Sequence, residues 1–582
     1  MQTASEISER LVRRYLDYVH QYSPVESTRI GLIDRDGELP DFSPEAMAAR
    51  SRDLGELFRQ VDAALRALGE PADSDEREAR DDLTLLRDEV EFRRFTLDEQ
   101  PRLELDPRAA VETIAASIHE LLRRTQLDHD ECRRRLDAAV ERARRVPMLL
   151  EQAGSLLASA PAPHLDLAQR RIPDVIALMA DGLPRRAEAL GVDVAPVRQA
   201  ADVAVEGLEA YAALLSELGD EPAADWRSGP HAHELVLRTA LGSSMRANDV
   251  YSRAQSWRDE VRAEMVELAS STWTRRFGGE PMPDDPTARI RRTLSAISDT
   301  AVAPERFVSE ARAAVTEARK FAEDAGFTDV PPAHRLNIEE VPAYLGGIAV
   351  AFIAPPPVLD PDAGCTFYLS PVPLAANDQQ RQAFLREYHP SQLRSLAIHE
   401  TYPGHFVQLE HASRHPRLAR RLLTRPVFAE GWAVYIEREA VARGFPNDAT
   451  SAIDPDDYRF TQRKLELRIA TNAMLDVGLH AGDLDDPAAI ELLTAGAFQA
   501  EPEAAGKLLR AKVSAGQLST YFIGGEEFGD LRREVEQREG HRFEVRDFHQ
   551  RVLSHGTPTV PIVASALADQ SPVRRPFAVG VS

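Results

Sequence analysis

Ser391–His411 reads SQLRSLAIHETYPGHFVQLEH, and the reading of the chain turns on its centre, His399-Glu400 with His405 six residues after His399. Two neutral imidazoles beside a glutamate are the side chains that zinc-dependent hydrolysis uses. The rings serve as ligands, and the glutamate takes a proton from the attacking water. Histidines four apart share one helical face. Six apart they lie about 240° round a regular helix and are splayed. Tyr402-Pro403-Gly404 predicts an interruption between them. Pro403 cannot donate to the His399 carbonyl and its ring clashes there, Tyr402 is pushed out of the helical region, and Gly404 can take backbone angles that other residues avoid. The expectation is helix, a break over 402–404, then helix again, with His405 swung back towards His399. A surface accident or a structural pair would leave the same residues in sequence, so the metal reading depends on a third ligand.

Thr424-Arg425-Pro426 has the chemistry of a helix start, a capping hydroxyl followed by proline in the first turn. FAEGWAVYIE then continues from Phe428 with helical spacing, and Glu430, Ala433, Val434 and Glu437 fall on one stripe. Two carboxylates therefore project from an otherwise apolar face. Glu430 reads either as a solvated carboxylate near a helix start or as the ligand that completes a two-His, one-Glu site with a position open for water.

HETYPGH, EGWAVYIE, GQLSTYFIGG and FHQRVLSHGTPTVPIV resemble the bacterial domain-of-unknown-function 885 family. The resemblance covers much of the chain, including PVESTRIGL near the start, and is most specific between Ala397 and Pro561. That family is similar to helical zinc peptidases of the thimet oligopeptidase and carboxypeptidase Taq kind, in which the third ligand is a glutamate some two dozen residues past the second histidine; Glu430 stands 25 after His405. The resemblance implies a gluzincin-like fold and a hydrolytic site. The chain departs from the peptidases in its longer His spacing, and from many family members at Phe406, where they carry another histidine, and at Ala515, where they carry proline.

With 582 residues, 43% of them hydrophobic, the chain can bury a large core or two coupled domains. A net charge of −24 argues against nucleic acid or an anionic membrane as partner, because phosphates are held by Lys and Arg. Two cysteines, Cys132 and Cys365, make no disulfide framework, so a reducing cytoplasm is the expected compartment. No apolar run approaches the roughly 18 to 20 residues of a membrane span, and the N-terminus lacks a signal-like apolar region.

Residues 1 to about 225 read as successive helices, with stripes such as Ile7, Leu11, Tyr15, Val19 and Leu54, Leu57, Val61, Leu65. Glu26–Gly31, continuing into IDRDGELPDFS, reads as a loop. Asp128–Cys132 carries ligand-type side chains, but neighbours on a helix diverge, so a solvated turn is expected. His231 and His233 read as capping or surface residues on a strand or turn. After more helices to about Ala325, β-formers cluster at Arg335–Val341, Gly346–Ile353 and Cys365–Leu369, separated by proline and glycine turns. A small sheet is expected there. The resemblance gives Thr366–Ser370 the role of an edge strand that pairs with extended substrate, and core packing is the alternative. Asp476 and His480, at i and i+4, read as a structural pair or as groups orienting a ligand imidazole. Tyr521, on a helix after the turn Ser514–Gln517, reads either as a donor to an oxyanion or as a core tyrosine bonded to backbone. His555, before Gly556, is a better candidate for substrate contact than His549. The last segment, SPVRRPFAVGVS, reads as a partly disordered tail.

The combined expectation is a mainly α protein, a large multi-helix fold with a small sheet (about 335–370) beside a deep cleft. Residues 1–230 form an N-terminal helical region and 231–582 a metallopeptidase-like catalytic region. Zinc is expected on His399, His405 and Glu430, with Glu400 as general base and Tyr521 and His555 at the substrate, a small peptide or amide. The competing readings are a non-peptidase enzyme on the same scaffold, acting on a small metabolite, and a catalytically inactive binding protein.

Overall fold

Apolar stripes at helical spacing become buried helix faces in the computed structural model, which describes residues 2–569 apart from 125–126, 158, 220–224, 342–349, 373–376 and 447–452. Ala4–Tyr22 opens on Thr3 with a reciprocal capping box and buries Leu11, Tyr15 and Val19. Pro44–Leu68 buries Leu54, Leu57 and Val61. The ligand-like Asp128–Cys132 segment is a helix start: the Asp128 carboxylate accepts from the Glu131 N–H at the head of His129–Leu156. PVESTRI is a helix, Pro24–Ile30, and not the expected loop. Pro24 in its first turn and Gly31 in the left-handed region at its end (φ 104°) are start and stop signals that so short a helix makes easy to miss. Pro230–Thr239 is also helical, so His231 and His233 lie on a helix and not on a strand or turn.

The chain is mainly helical, with one three-stranded sheet of β1 (Leu336–Glu340), β2 (Ala351–Ala354) and β3 (Cys365–Leu369) in the order β1-β3-β2. β3 runs parallel to β1 and antiparallel to β2, with Ile338 and Ile353 both opposite Phe367. This overturns the edge role expected of Thr366–Ser370, because β3 is paired on both sides and buried along its whole length. Among the described residues, the edge strand next to the His-Glu helix is β2. Residues 346–349 of the expected second strand and the tail from Ser571 lie outside the described residues. No described helix is long and apolar enough to cross a membrane.

One buried cluster unites helices of the first 215 residues with Val341, Ala354 and Tyr368 of the sheet region. A second gathers residues from Phe307 to Leu567, including β3 and the helices carrying His399, Glu430 and Tyr521. A third ties Leu11, Leu57 and Leu86 to Ala419 and Leu423. Arg425, buried at the head of the Glu430 helix, adds a polar tie by donating to the Leu85 carbonyl at 2.6 Å.

The helices Pro426–Ala442 and Thr520–Glu539 cross at two glycines. A Cβ on Gly431 would lie 2.5 Å from the Gly524 Cα, and one on Gly524 would lie 2.3 Å from the Val427 carbonyl oxygen. Only backbone fits there, and the crossing sets Glu430, next to Gly431, near Tyr521, one turn before Gly524. Gly524→Ala is therefore expected to cost about 3 kcal/mol or more in denaturant unfolding, since backbone has to move to admit the methyl. Gly506→Ala, on an exposed helix face with nothing within 4 Å, is expected to stabilise by roughly 0.5–1 kcal/mol.

Candidate metal centre and its cavity

The helix Pro390–Glu400 stops after Glu400 and a new one, His405–Ser413, starts at His405, so the interruption expected at Tyr402–Gly404 is present. Gly404 is needed for a different reason from the one expected. Its φ of −75° is open to any residue, but a Cβ there would lie 2.0 Å from the His399 carbonyl oxygen and 2.2 Å from that of Ile398. The second helix can fold back this closely only on a bare α-carbon. The loop is pinned from the neighbouring helix: the indole N–H of Trp432, fully buried, donates to the Pro403 carbonyl at 3.1 Å. Phe406 is buried edge-on against Tyr402 and faces the core. The Glu430 helix begins at Pro426 with Arg425 at its cap and no side-chain capping bond, so Thr424 does not play the expected part.

The break brings the two rings together, edge to face, with centroids 4.7 Å apart. Each Nε2 lies 3.5 Å from the same Glu430 oxygen, Oε2. One donor atom from each of His399, His405 and Glu430 lies within 4.8 Å of the others, a grouping that could hold a metal ion. Glu430 Oε2 is buried and makes no hydrogen bond. Burial works to raise the Glu430 carboxyl, but the two imidazoles outweigh it and hold the group far below the usual carboxylate range. Burial likewise opposes a charge on His399, yet Glu430 and Glu437 win and its pKa rises well above normal.

Glu437 is the residue to which the sequence assigned no role beyond the stripe it shares with Glu430. Its Oε1 lies 2.6 Å from His399 Nδ1, and its Oε2 accepts from the Ser395 hydroxyl at 3.5 Å. With Nδ1 engaged by Glu437, Nε2 is the ring nitrogen of His399 that faces Glu430, the orientation that metal-ligating histidines need. Seven residues separate Glu430 from Glu437, two turns of helix, so one carboxylate reaches each side of the same ring.

Glu400 is half-buried beside this group, with the backbone of Ile353 in β2 near enough to favour its charged form. Burial raises its carboxyl, with the two histidines pulling the other way and Glu430 adding to the rise. Tyr521 lies near enough that the charge of Glu430 is the main cause of its raised pKa, followed by burial and Glu400, so its phenol keeps its proton. Asp476 holds the turn ahead of Tyr521, accepting from Gly516 N–H at 2.9 Å and from the Ser519 hydroxyl at 2.5 Å. Behind it stands His233, fully buried, with Nε2 3.1 Å from the same carboxylate. His233 is thus a core residue and not the expected surface one. Asp476 orients no ligand imidazole, and His480 bonds instead to the Ala511 carbonyl at 2.8 Å.

His555 is placed elsewhere. Its ring is held down to about 4 by burial and by Arg420 and His415, and it is not among the residues lining the cavity beside the metal-type group. His549 is a buried bridge between the Tyr435 hydroxyl and the Phe327 carbonyl. The cavity itself has a volume of about 310 Å³. Its lining includes His399, Glu400 and Glu437, then Gln517 and Tyr521, and the basic residues Arg468, Lys507 and Arg510.

The profile of the family described as "Bacterial protein of unknown function (DUF885)" matches residues 24–567. Among curated proteins none matches the chain. Two solved structures share the fold. One, titled as a candidate lipoprotein of unknown function from Shewanella oneidensis, is 23% identical with a TM-score of 0.79, covering 98% of this chain and 100% of its own. The other, a candidate lipoprotein from Colwellia psychrerythraea, is 16% identical with a TM-score of 0.70, covering 97% and 98%.

Trp432→Phe tests the pin on the interruption. It keeps an aromatic ring but leaves the Pro403 carbonyl without its donor in a buried place, so unfolding in denaturant is expected to show a loss of about 1–3 kcal/mol.

Proposed function

Because the chain belongs to the DUF885 family of bacterial proteins of unknown function, its activity has to be read from its own site, and we propose that it is a metal-dependent hydrolase of a peptide or other amide bond. The observation that carries this reading is the orphaned Glu430 Oε2, buried without a hydrogen bond and facing one Nε2 from each of two histidines. A buried carboxylate oxygen without a donor is costly unless a cation satisfies it. Two imidazoles and one carboxylate with a side open to a cavity form the ligand set of catalytic zinc, and they match the set that the likeness to helical zinc peptidases implies. His399, His405 and Glu430 would hold the ion, which when bound supplies Lewis acidity and makes water a nucleophile near neutral pH.

The remaining work falls to the protein's own groups. Glu437 fixes His399 so that Nε2, not Nδ1, faces the ligand position. Glu400 is suited to take a proton from water and deliver it to the departing amine nitrogen, because burial lifts its carboxyl towards the working range of a general base. The Tyr521 phenol stays protonated and offers an O–H to the carbonyl oxygen as charge builds there. The cavity, about 310 Å³, stands at the small end of ligand sites and favours a short peptide or an amide-containing metabolite over a long polypeptide. A net charge of −24 keeps nucleic acid out of consideration. The two cysteines are buried and unpaired, which supports the cytoplasm as its compartment.

Purified protein is expected to carry about one zinc per chain, and His399→Ala to lose it; equal sub-stoichiometric metal in both would overturn the ligand assignment. Glu400→Gln is expected to lower turnover of a released-amine assay by about 10²–10⁴-fold while metal content stays unchanged. Glu437→Gln is expected to weaken zinc affinity about 10- to 100-fold, measured by competition with a chelator.

A further inference from the structure

The basic side of the cavity has a property that the hydrolase reading does not use. The chain has four lysines, and Lys507 is the one that is buried, 7% exposed, while lining this cavity. Its ammonium makes a single hydrogen bond among the described residues, to the neutral Asn472 Oδ1 at 3.1 Å, and no ion pair. The acids nearby are already engaged. Glu387 takes Lys464 and Arg468, each at 2.9 Å, and Glu503 takes Arg468 at 2.8 Å. Arg510, exposed on the same cavity wall, has no carboxylate partner among the described residues. Four cations thus share two carboxylates, in a protein that elsewhere carries a large excess of acid. A buried ammonium without a counter-charge is costly, and a ligand that brings one removes the cost.

We propose that Lys507 and Arg510, with Asn472 beside them, form a carboxylate-binding subsite, and that the substrate carries a free carboxylate which this subsite holds while the amide bond meets Glu400 and Tyr521. The term substrate rests on the hydrolase reading; the binding site does not. Two sources share this chemistry, the terminal α-carboxylate of a peptide or N-acyl amino acid and an acidic side chain. The wall is continuous with the reacting groups, since Arg510 lies within electrostatic reach of Tyr521 as well as of Lys507. In the ligand-free protein burial, with Arg468 and Arg510, brings the Lys507 ammonium down to about 7, against the smaller pull of Glu503 and Glu387. A bound carboxylate adds the missing charge and draws a proton onto the amine.

Calorimetric titration of metal-free protein with N-benzoylglycine, its uncharged twin N-benzoylglycinamide, and an aspartate blocked at both α groups tests the subsite. At least one acid is expected to bind ten-fold or more tightly than the amide, with proton uptake at pH 8. The better of the two acids identifies the source. Lys507→Met, which removes a buried cation and is expected to hold or raise the melting temperature, should weaken that binding at least ten-fold and abolish the proton uptake. Arg510→Gln, at an exposed position, should weaken it without touching the fold. Acids that bind no better than the amide, or equally well to both variants, would overturn the proposal. Since no metal is present, that failure leaves the hydrolase reading intact, whereas a protein that takes up no zinc but binds the acid overturns only the latter.

Discussion

Two imidazoles six residues apart can meet one carboxylate only if the helix between them stops and restarts within four residues, and everything at this site follows from that restriction. The chain meets it by bringing the Gly404 α-carbon against the His399 and Ile398 carbonyls, closer than any side chain permits. Trp432 then holds the turn through the Pro403 carbonyl. The same helix that supplies Trp432 supplies Glu430 two residues earlier and Glu437 five residues later, so the pin, the third ligand-type group and the partner of His399 are fixed as one rigid unit.

Besides its side-chain packing, that unit is held by a close backbone contact. The Gly431–Gly524 crossing locks the Glu430 helix to the Tyr521 helix, and Asp476 holds the turn from which the second helix springs. Arg425 ties its beginning to the N-terminal helices. From the other side β2 lies against Glu400, whose pKa ends up raised where that of Glu430 ends up lowered. The electrostatics divide accordingly: Glu430 between two imidazoles remains charged, while Glu400 in a similar degree of burial is shifted towards the protonated form. Two carboxylates with such different environments suit two different tasks, one holding charge and one moving a proton.

Much of this was legible in the sequence because it is local. Pro403 and Gly404 announce the interruption, and Glu430 falls on one helical stripe with Glu437, while its distance past His405 carries meaning only through the family resemblance. The reason for Gly404 was not legible, since close approach of backbone depends on how the second helix folds back and not on its own torsion angle. Glu437 shared a stripe with Glu430, but nothing in the sequence says which ring nitrogen it meets. His233 and Asp476 are 243 residues apart, and a contact of that range leaves no periodic trace. The role of an edge strand went to β3 because strand order is not written in strand composition; the pairing of β3 on both sides decides it. A neighbouring glycine and prolines mark the loop of His555 but do not say what the loop faces.

The most direct test of the account is anomalous diffraction at the zinc absorption edge from crystals grown with zinc. A single strong peak bounded by His399 Nε2, His405 Nε2 and Glu430 Oε2, with Glu437 still on His399 Nδ1, is the predicted result. A peak bound by Glu400 in place of Glu430, or zinc found only at surface carboxylates while these three side chains keep the positions described, would contradict it.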